Sequence, residues 1–255
     1  MDDQERELMR GRGVCFTTTP RWASNVLTKI WNRDTLGWTW LSEVPNFTRR
    51  LGMIPLIGGY LGSMKSLGNL DLSLSGFMGL ILHQLGNLSN LQHLNLGYNY
   101  ALQIDNLNWI SKLSSLEYLD LSGSNLHKQG NWLQVVNALP SLSELHLESC
   151  LIDNLGPPKE KPTSHISKSL IFLNLSNNTF TCPIPSPFTN LSSLRTLNLA
   201  HIQLNGTIPK RFEFLKNLQV LNLGANSLTG DMPVTLGTLS NLVTLDLSSN
   251  LLEDL

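Results

Sequence analysis

The stretch Leu88–Asn99, LSNLQHLNLGYN, sets leucines at Leu88, Leu91, Leu94 and Leu96 and closes on Asn99. The same frame returns as LSSLEYLDLSGS at Leu113–Ser124 and as LSNLVTLDLSSN at Leu239–Asn250. Followed in both directions, its closing slot is Ser75, Asn99, Ser124, Cys150, Asn178, Ile202, Asn226 and Asn250, at steps of 24, 25, 26, 28, 24, 24 and 24 residues. A period in this range predicts a solenoid, whose units bury their apolar faces only against one another.

Two leucines separated by one residue put both side chains on one face of a strand, because side chains alternate with period two. Those leucines point inward, and stacked copies lay their short strands into one parallel sheet. At the slot the chain turns out of the sheet and leaves backbone groups that need partners. An asparagine amide offers two donors and an acceptor and can bridge consecutive turns. Ser75 and Ser124 are expected to do part of this, Cys150 weakly and Ile202 not at all, which predicts a local weak point at Ile202.

Several copies continue into a second signature: LNGTIP at Leu204–Pro209, LTGDMP at Leu228–Pro233 and FTCPIP at Phe180–Pro185, while FMGLIL at Phe77–Leu82 lacks the proline. Glycine permits unusual backbone angles and proline fixes φ, so together they bend the chain onto the far side. The composite LxxLxxLxLxxNxLxGxIP resembles the plant type of extracellular leucine-rich repeat. The stretches Asp105–Gly123 and Asn131–Ile152 resemble plant receptor-like proteins of the disease-resistance type. The implied fold is an α/β-type solenoid, a leucine-rich-repeat horseshoe or arc with a parallel β-sheet on its concave face.

Residues 1–53 do not follow the repeat: they are dense in charge and hold Trp22, Trp31, Trp38 and Trp40, four of the six tryptophans. They are expected to be a non-repeat, disordered or degenerate segment, followed by a partial repeat at 54–66 and eight repeats over 67–255. The first residues, MDDQERELMRGRG, carry no apolar core for a secretory signal, and no apolar run reaches 18 residues. The odd set Cys15, Cys150 and Cys182 lacks the paired spacing of a cap. With 18 basic against 19 acidic residues, no broad field favours nucleic acid or an anionic membrane. The short charge runs at Lys159–Lys161 and Lys210–Arg211 are expected to be solvated.

No motif of nucleophilic, phosphate-binding or zinc-hydrolase chemistry occurs, so the expectation is a non-enzymatic protein with no cofactor and no metal. Glu144, His146 and Glu148 could in isolation hold a cation, but their alternation marks them as a polar row on the outward face of one strand. What the repeats offer is that face. Between the two strand leucines lie Asp71, Asn95, Asp120, His146, Asn174, Asn198, Asn222 and Asp246, flanked by one column of mostly small residues and one of larger residues. Exposed aromatics beside charge are typical of binding hot spots. The candidate ligand-binding residues are therefore Tyr118, Asp120, Glu144, His146, Glu148, Phe172, Asn174 and Asn198. Eight strands about 4.8 Å apart span roughly 34 Å, room for an extended peptide of about ten residues.

Sequons at Asn46, Asn87, Asn174, Asn177, Asn190 and Asn205 suit a secreted ancestor, and Asn87, Asn177, Asn190 and Asn205 are the glycosylation candidates. The resemblance implies a fragment of a receptor-like protein on the outer side of the plasma membrane. It implies a role in defence or developmental signalling, with a peptide or protein ligand on the concave face and a co-receptor kinase as partner. Alternatives are a soluble leucine-rich-repeat inhibitor or scaffold, the outer part of a receptor kinase, or a truncated product without independent function. Termini without a visible cap motivate the last.

Overall fold

The computed structural model describes residues 65–81, 83–127, 129–153 and 169–253. The segment 1–53, all but the end of the partial repeat 54–66, Cys15, Asn46 and the run Lys159–Lys161 lie outside the described residues. Eight three-residue strands form one parallel sheet: β1 (Asn69–Asp71), β3 (His93–Asn95), β5 (Tyr118–Asp120), β6 (Glu144–His146), β7 (Phe172–Asn174), β8 (Thr196–Asn198), β10 (Val220–Asn222) and β12 (Thr244–Asp246). Each pairs with the next copy in the same register, Leu70 against Leu94, Leu94 against Leu119, and so on to Leu221 against Leu245. The 28-residue step between Cys150 and Asn178 leaves this register intact, with Leu145 facing Leu173.

Behind the sheet, the chain returns through 3₁₀ turns at His83–Asn87, Ile110–Lys112, Ser186–Asn190, Lys210–Phe214 and Val234–Thr238 and one short α-helix at Trp132–Asn137. Pro185, Pro209 and Pro233 stand at the entry of their turns in extended geometry, where the fixed φ and missing N–H cost nothing. Short bridges on this side pair β2 (Met78–Leu80) with β4 (Ala101–Gln103), and β11 (Ser227–Gly230) with both β9 (Asn205–Gly206) and β13 (Leu251–Leu252).

The core between the two sides is a stack of repeat leucines. Leu88, Leu91, Leu94 and Leu113 are fully enclosed, as are Leu194, Leu197, Leu218 and Leu221 in later copies. Trp109, Trp132, Phe180, Phe188 and Phe212 fill the wider space toward the returns. Burying each such side chain contributes about 2 kcal/mol, and only a neighbouring repeat supplies the cover.

The slot residues hold consecutive turns together. Asn178 Oδ1 accepts the Cys150 and Ile152 N–H groups at 3.0 and 2.9 Å, and its Nδ2 donates to Leu147 O and Leu175 O. Asn99 serves Ser75, Phe77, Leu72 and Leu96 in the same way, and Asn226 serves Ile202, Leu204, Leu199 and Leu223. Each rung therefore satisfies the repeat before it. Cys150 Sγ reproduces one bond, to Leu121 O at 3.2 Å. Ser75 Oγ bonds Ser73 O within its own repeat, and the turn before it lies outside the described residues; Ser124 Oγ is buried without a partner and does not carry the bridging expected of it. Ile202 is wholly enclosed and apolar, and no slot amide reaches back from it to Asn178 and Phe180.

The residue preceding each slot repeats as well, and its sequence gave no cue. Leu74, Tyr98, Ser149, Asn177, His201, Ala225 and Ser249 all have φ between 51° and 58°, and Gly123 takes the eighth place at 76°. A left-handed residue here turns the chain out of the strand, at a cost of about 1 kcal/mol for each non-glycine.

Candidate ligand-binding face

The outward faces of the eight strands form three columns, and the middle one has a structural reason to be polar. Asp71, Asn95, Asp120, Asn174, Asn198, Asn222 and Asp246 each accept, through Oδ1, the backbone N–H two residues on. This local bond stabilises the exit from the strand, and only a short side chain with an oxygen at that reach can make it. Asp120, Asn174 and Asn198, chosen from sequence as ligand contacts, are thus in part fixtures of the scaffold. His146 alone breaks the column. In its repeat the Glu148 N–H instead donates to Ser122 Oγ of the preceding copy, at 3.3 Å.

Having no turn to hold, the His146 ring leans toward the neighbouring column and fills the space between Tyr118 and Phe172. Its centroid lies 5.0 Å from Tyr118 and 4.5 Å from Phe172, the latter nearly parallel at 23°. Tyr118 in turn stacks on His93 at 4.1 Å and 14°. Four rings from four strands thus form one ladder, His93, Tyr118, His146 and Phe172. Stacked pairs of this kind contribute about 1 kcal/mol each beyond the area they bury. His146 Nε2 is buried without a hydrogen-bond partner, and Glu144 Oε2 stands 3.8 Å from it, in ion-pair range but beyond bonding distance. Glu144 itself is half exposed, with Tyr118 and Phe172 as its register neighbours.

Glu148, two pleats further along the same row, is fixed by neutral donors. Its Oε2 accepts from Tyr98 Oη at 3.2 Å and from Asn174 Nδ2 at 3.3 Å, and its Oε1 accepts from Asn177 Nδ2 at 3.1 Å. Tyr98 sits in the left-handed position before its slot, which swings the phenol over the sheet edge, where it packs edge-on against Tyr100. Sequence reasoning missed it because Tyr98 lies outside the three outward columns. The signal was an aromatic residue in a position elsewhere held by Gly123, Ser149, Ala225 and Ser249.

Burial pushes the Tyr98 phenol up to about 12, aided by the Glu148 carboxylate, so it remains a donor across the physiological range. Burial likewise takes Tyr118 up to about 12, with Asp120 and Glu144 adding to the effect. Desolvation depresses His93 below its ordinary value, against the opposing pull of Asp71, Glu144 and Asp120, which favours the neutral ring in the stack. Cys150 is raised to about 12 by burial, as suits an inert thiol in the core.

Among the sequons, Asn87 and Asn190 are exposed at the ends of their 3₁₀ turns, and Asn205 is exposed on β9. Asn177 is also exposed, but its amide is engaged by Glu148. No group of three metal-ligating side chains occurs among the described residues. No helix among them is long and apolar enough to cross a membrane.

The matches to known proteins follow the repeats. Residues 203–252 match the family described as leucine rich repeat, and 169–191 match a second description of the same repeat. Over 121 residues the chain is 41% identical to the tomato (Solanum lycopersicum) receptor-like protein EIX1, a match covering 48% of this chain and 12% of that one. The chain thus carries leucine-rich repeats and is similar over part of its length to plant receptor-like proteins. It spans only a small part of the length of the tomato relative. Among solved structures, the TDR receptor superposes with a TM-score of 0.63 at 27% identity, covering 75% of this chain and 32% of that one. The plant peptide hormone receptor RGFR1, in complex with RGF2, gives 0.59 at 26%, covering 75% and 30%. Both likenesses rest on the parallel sheet and its repeats.

Proposed function

We propose that the array is a non-enzymatic recognition module of a plant cell-surface receptor-like protein, acting in defence or developmental signalling. Its ligand is a peptide or protein laid across the concave face over β5, β6 and β7. The observation that carries this reading is the single break in the middle column. Seven repeats keep an Asp or Asn that holds the strand exit, and one gives that bond up to place His146 in a ring ladder open to solvent. Rings beside carboxylates on a face that packs against nothing within the array are suited to anchoring a partner. The complex of RGFR1 with RGF2 is a peptide hormone receptor with its ligand on the same class of scaffold, which supports the choice of partner. A co-receptor kinase, and glycans at Asn87, Asn177, Asn190 and Asn205, belong to the same proposal.

The test uses peptides selected from a random ten-residue library on the full 255-residue chain. Phe172→Ala and His146→Ala are expected to weaken the selected peptides about tenfold or more, and Lys210→Ala, on the opposite side, to leave them unchanged. Equal effects at all three positions would place the binding surface elsewhere.

A further inference from the structure

Over the whole chain acidic and basic residues nearly balance, to a net charge of −1, but the outward columns of the sheet do not share that balance. Among the described residues the three outward columns of the sheet contain Asp71, Asp120, Glu144, Glu148 and Asp246, and no lysine or arginine. Lys112, Lys210 and Arg211 lie on the 3₁₀ turns behind the sheet, and Lys216 follows one of them. Arg195 stands exposed at the margin of β8, outside the columns. The columns in an ordinary repeat need only a short oxygen-bearing residue in the middle, so the packing explains Asp71, Asp120 and Asp246. Glu144 and Glu148 have no such duty. Both belong to the repeat whose middle residue is His146, and both extend the carboxylate farther from the sheet than an aspartate would.

Their partners make the point sharper. Glu148 receives three hydrogen bonds, all from neutral donors, so its carboxylate is held in place with its charge uncompensated. Glu144 has only the 3.8 Å approach of His146, and it stands in register between Tyr118 and Phe172. Anionic groups beside a ring ladder, on columns that hold no lysine or arginine among the described residues, complement a cation that bonds the carboxylates while its apolar stem packs on the rings. Arginine meets both demands. Its methylene stem packs on the outward rim of the ladder while its guanidinium donates two parallel bonds to a carboxylate.

We infer that the ligand is an extended peptide segment bearing arginine, its methylene stem packed on the outward rim of the Tyr118–His146–Phe172 ladder and its guanidinium paired with Glu144. The fixed Glu148 carboxylate receives a second basic group of the same segment. This rests on the reading of the concave face as the ligand site and adds the class of ligand.

The experiment takes the peptides selected from the ten-residue library on the full-length chain and reads both their composition and their binding. Expected is an enrichment of arginine, a loss of about tenfold on replacing that arginine by glutamine, and a similar loss for Glu144→Gln or Glu148→Gln. Asp246→Asn, a carboxylate on the same sheet far from the rings, serves as control and is expected to change nothing. Affinity should also fall as salt rises. Selected peptides that lose affinity with Phe172→Ala yet carry no basic residue and ignore Glu144→Gln would overturn the arginine inference and leave the concave site standing. Peptides indifferent to Phe172→Ala as well, or no selection at all, would overturn both.

Discussion

The stretch of sheet from β3 to β7 and the stretch from β8 to β12 share one backbone and differ outward mainly in one column and in the repeat of His146 and Glu148. Both run in three-residue strands at a constant register, with leucines beneath. Above the leucines, the first stretch presents His93, Tyr118, Glu144 and Phe172 in one column and carries the rings and fixed carboxylates. The second presents Thr196, Val220 and Thr244. The slots are mixed in both: Asn99 and Asn178 reach back in the first stretch, where Ser124 Oγ has no partner, and Asn226 and Asn250 reach back in the second, where Ile202 does not. Inward positions are answerable to the fold and outward ones are not, so recognition can be written on the scaffold one column at a time.

Removing a rung from each stretch gives the largest contrast. Asn226→Ala strands the Ile202 and Leu204 N–H groups and the Leu199 carbonyl and should cost about 2 kcal/mol or more in urea unfolding. Ser124→Ala, which deletes a buried hydroxyl with no partner, should fall within about 0.5 kcal/mol of the parent. Equal losses would mean that the slots of the two stretches do the same work.

A smaller contrast lies on the outward face. Tyr118→Ala removes both its stack on His93 and its contact with His146 and should lower stability by about 1–2 kcal/mol. Val220→Ala, in the same column of the plain stretch, should cost well under half as much. If the two cost the same, the ladder contributes nothing to holding the repeats.

Acid should act on the ringed stretch first. His93 has a folded pKa below its ordinary value of 6.5, so the unfolded chain takes up the proton more readily. The contribution is then complete above 6.5 and is lost as pH falls toward the depressed folded value. The groups facing it are Asp71, Asp120, Glu144 and His146. His93→Gln should flatten the slope of stability just below pH 6.5, and an unchanged slope would remove His93 from the explanation.

The finest effect concerns the apolar slot. Asn178 and Phe180 have no amide reaching back from Ile202, while Ile202 and Leu204 are served by Asn226. The N–H groups of Asn178 and Phe180 should exchange with deuterium faster than those of Ile202 and Leu204. Matching rates would show that the gap at Ile202 leaves no weak point.

Period and leucine spacing were enough to read the sheet, its direction and its register, because each inward position has a single packing role. The slot was legible as a bridging site, but not the failure at Ser124, whose short hydroxyl is buried without a partner. The candidate face was legible as a set of columns. Its chemistry was not, since Asp120, Asn174 and Asn198 look like free polar groups until their bonds to the exiting backbone are seen. The lean of His146 into another column, and the arrival of Tyr98 over Glu148, depend on side-chain directions that no spacing encodes.

The most direct measurement is a paired titration of one selected ten-residue peptide against Tyr118→Ala/Phe172→Ala and against Val220→Ala/Thr244→Ala in the full-length chain. The ringed pair should lose at least about tenfold in affinity while the plain pair binds as the parent does. Equal affinities for the two, or a loss confined to the plain pair, would contradict the assignment of recognition to the ring ladder.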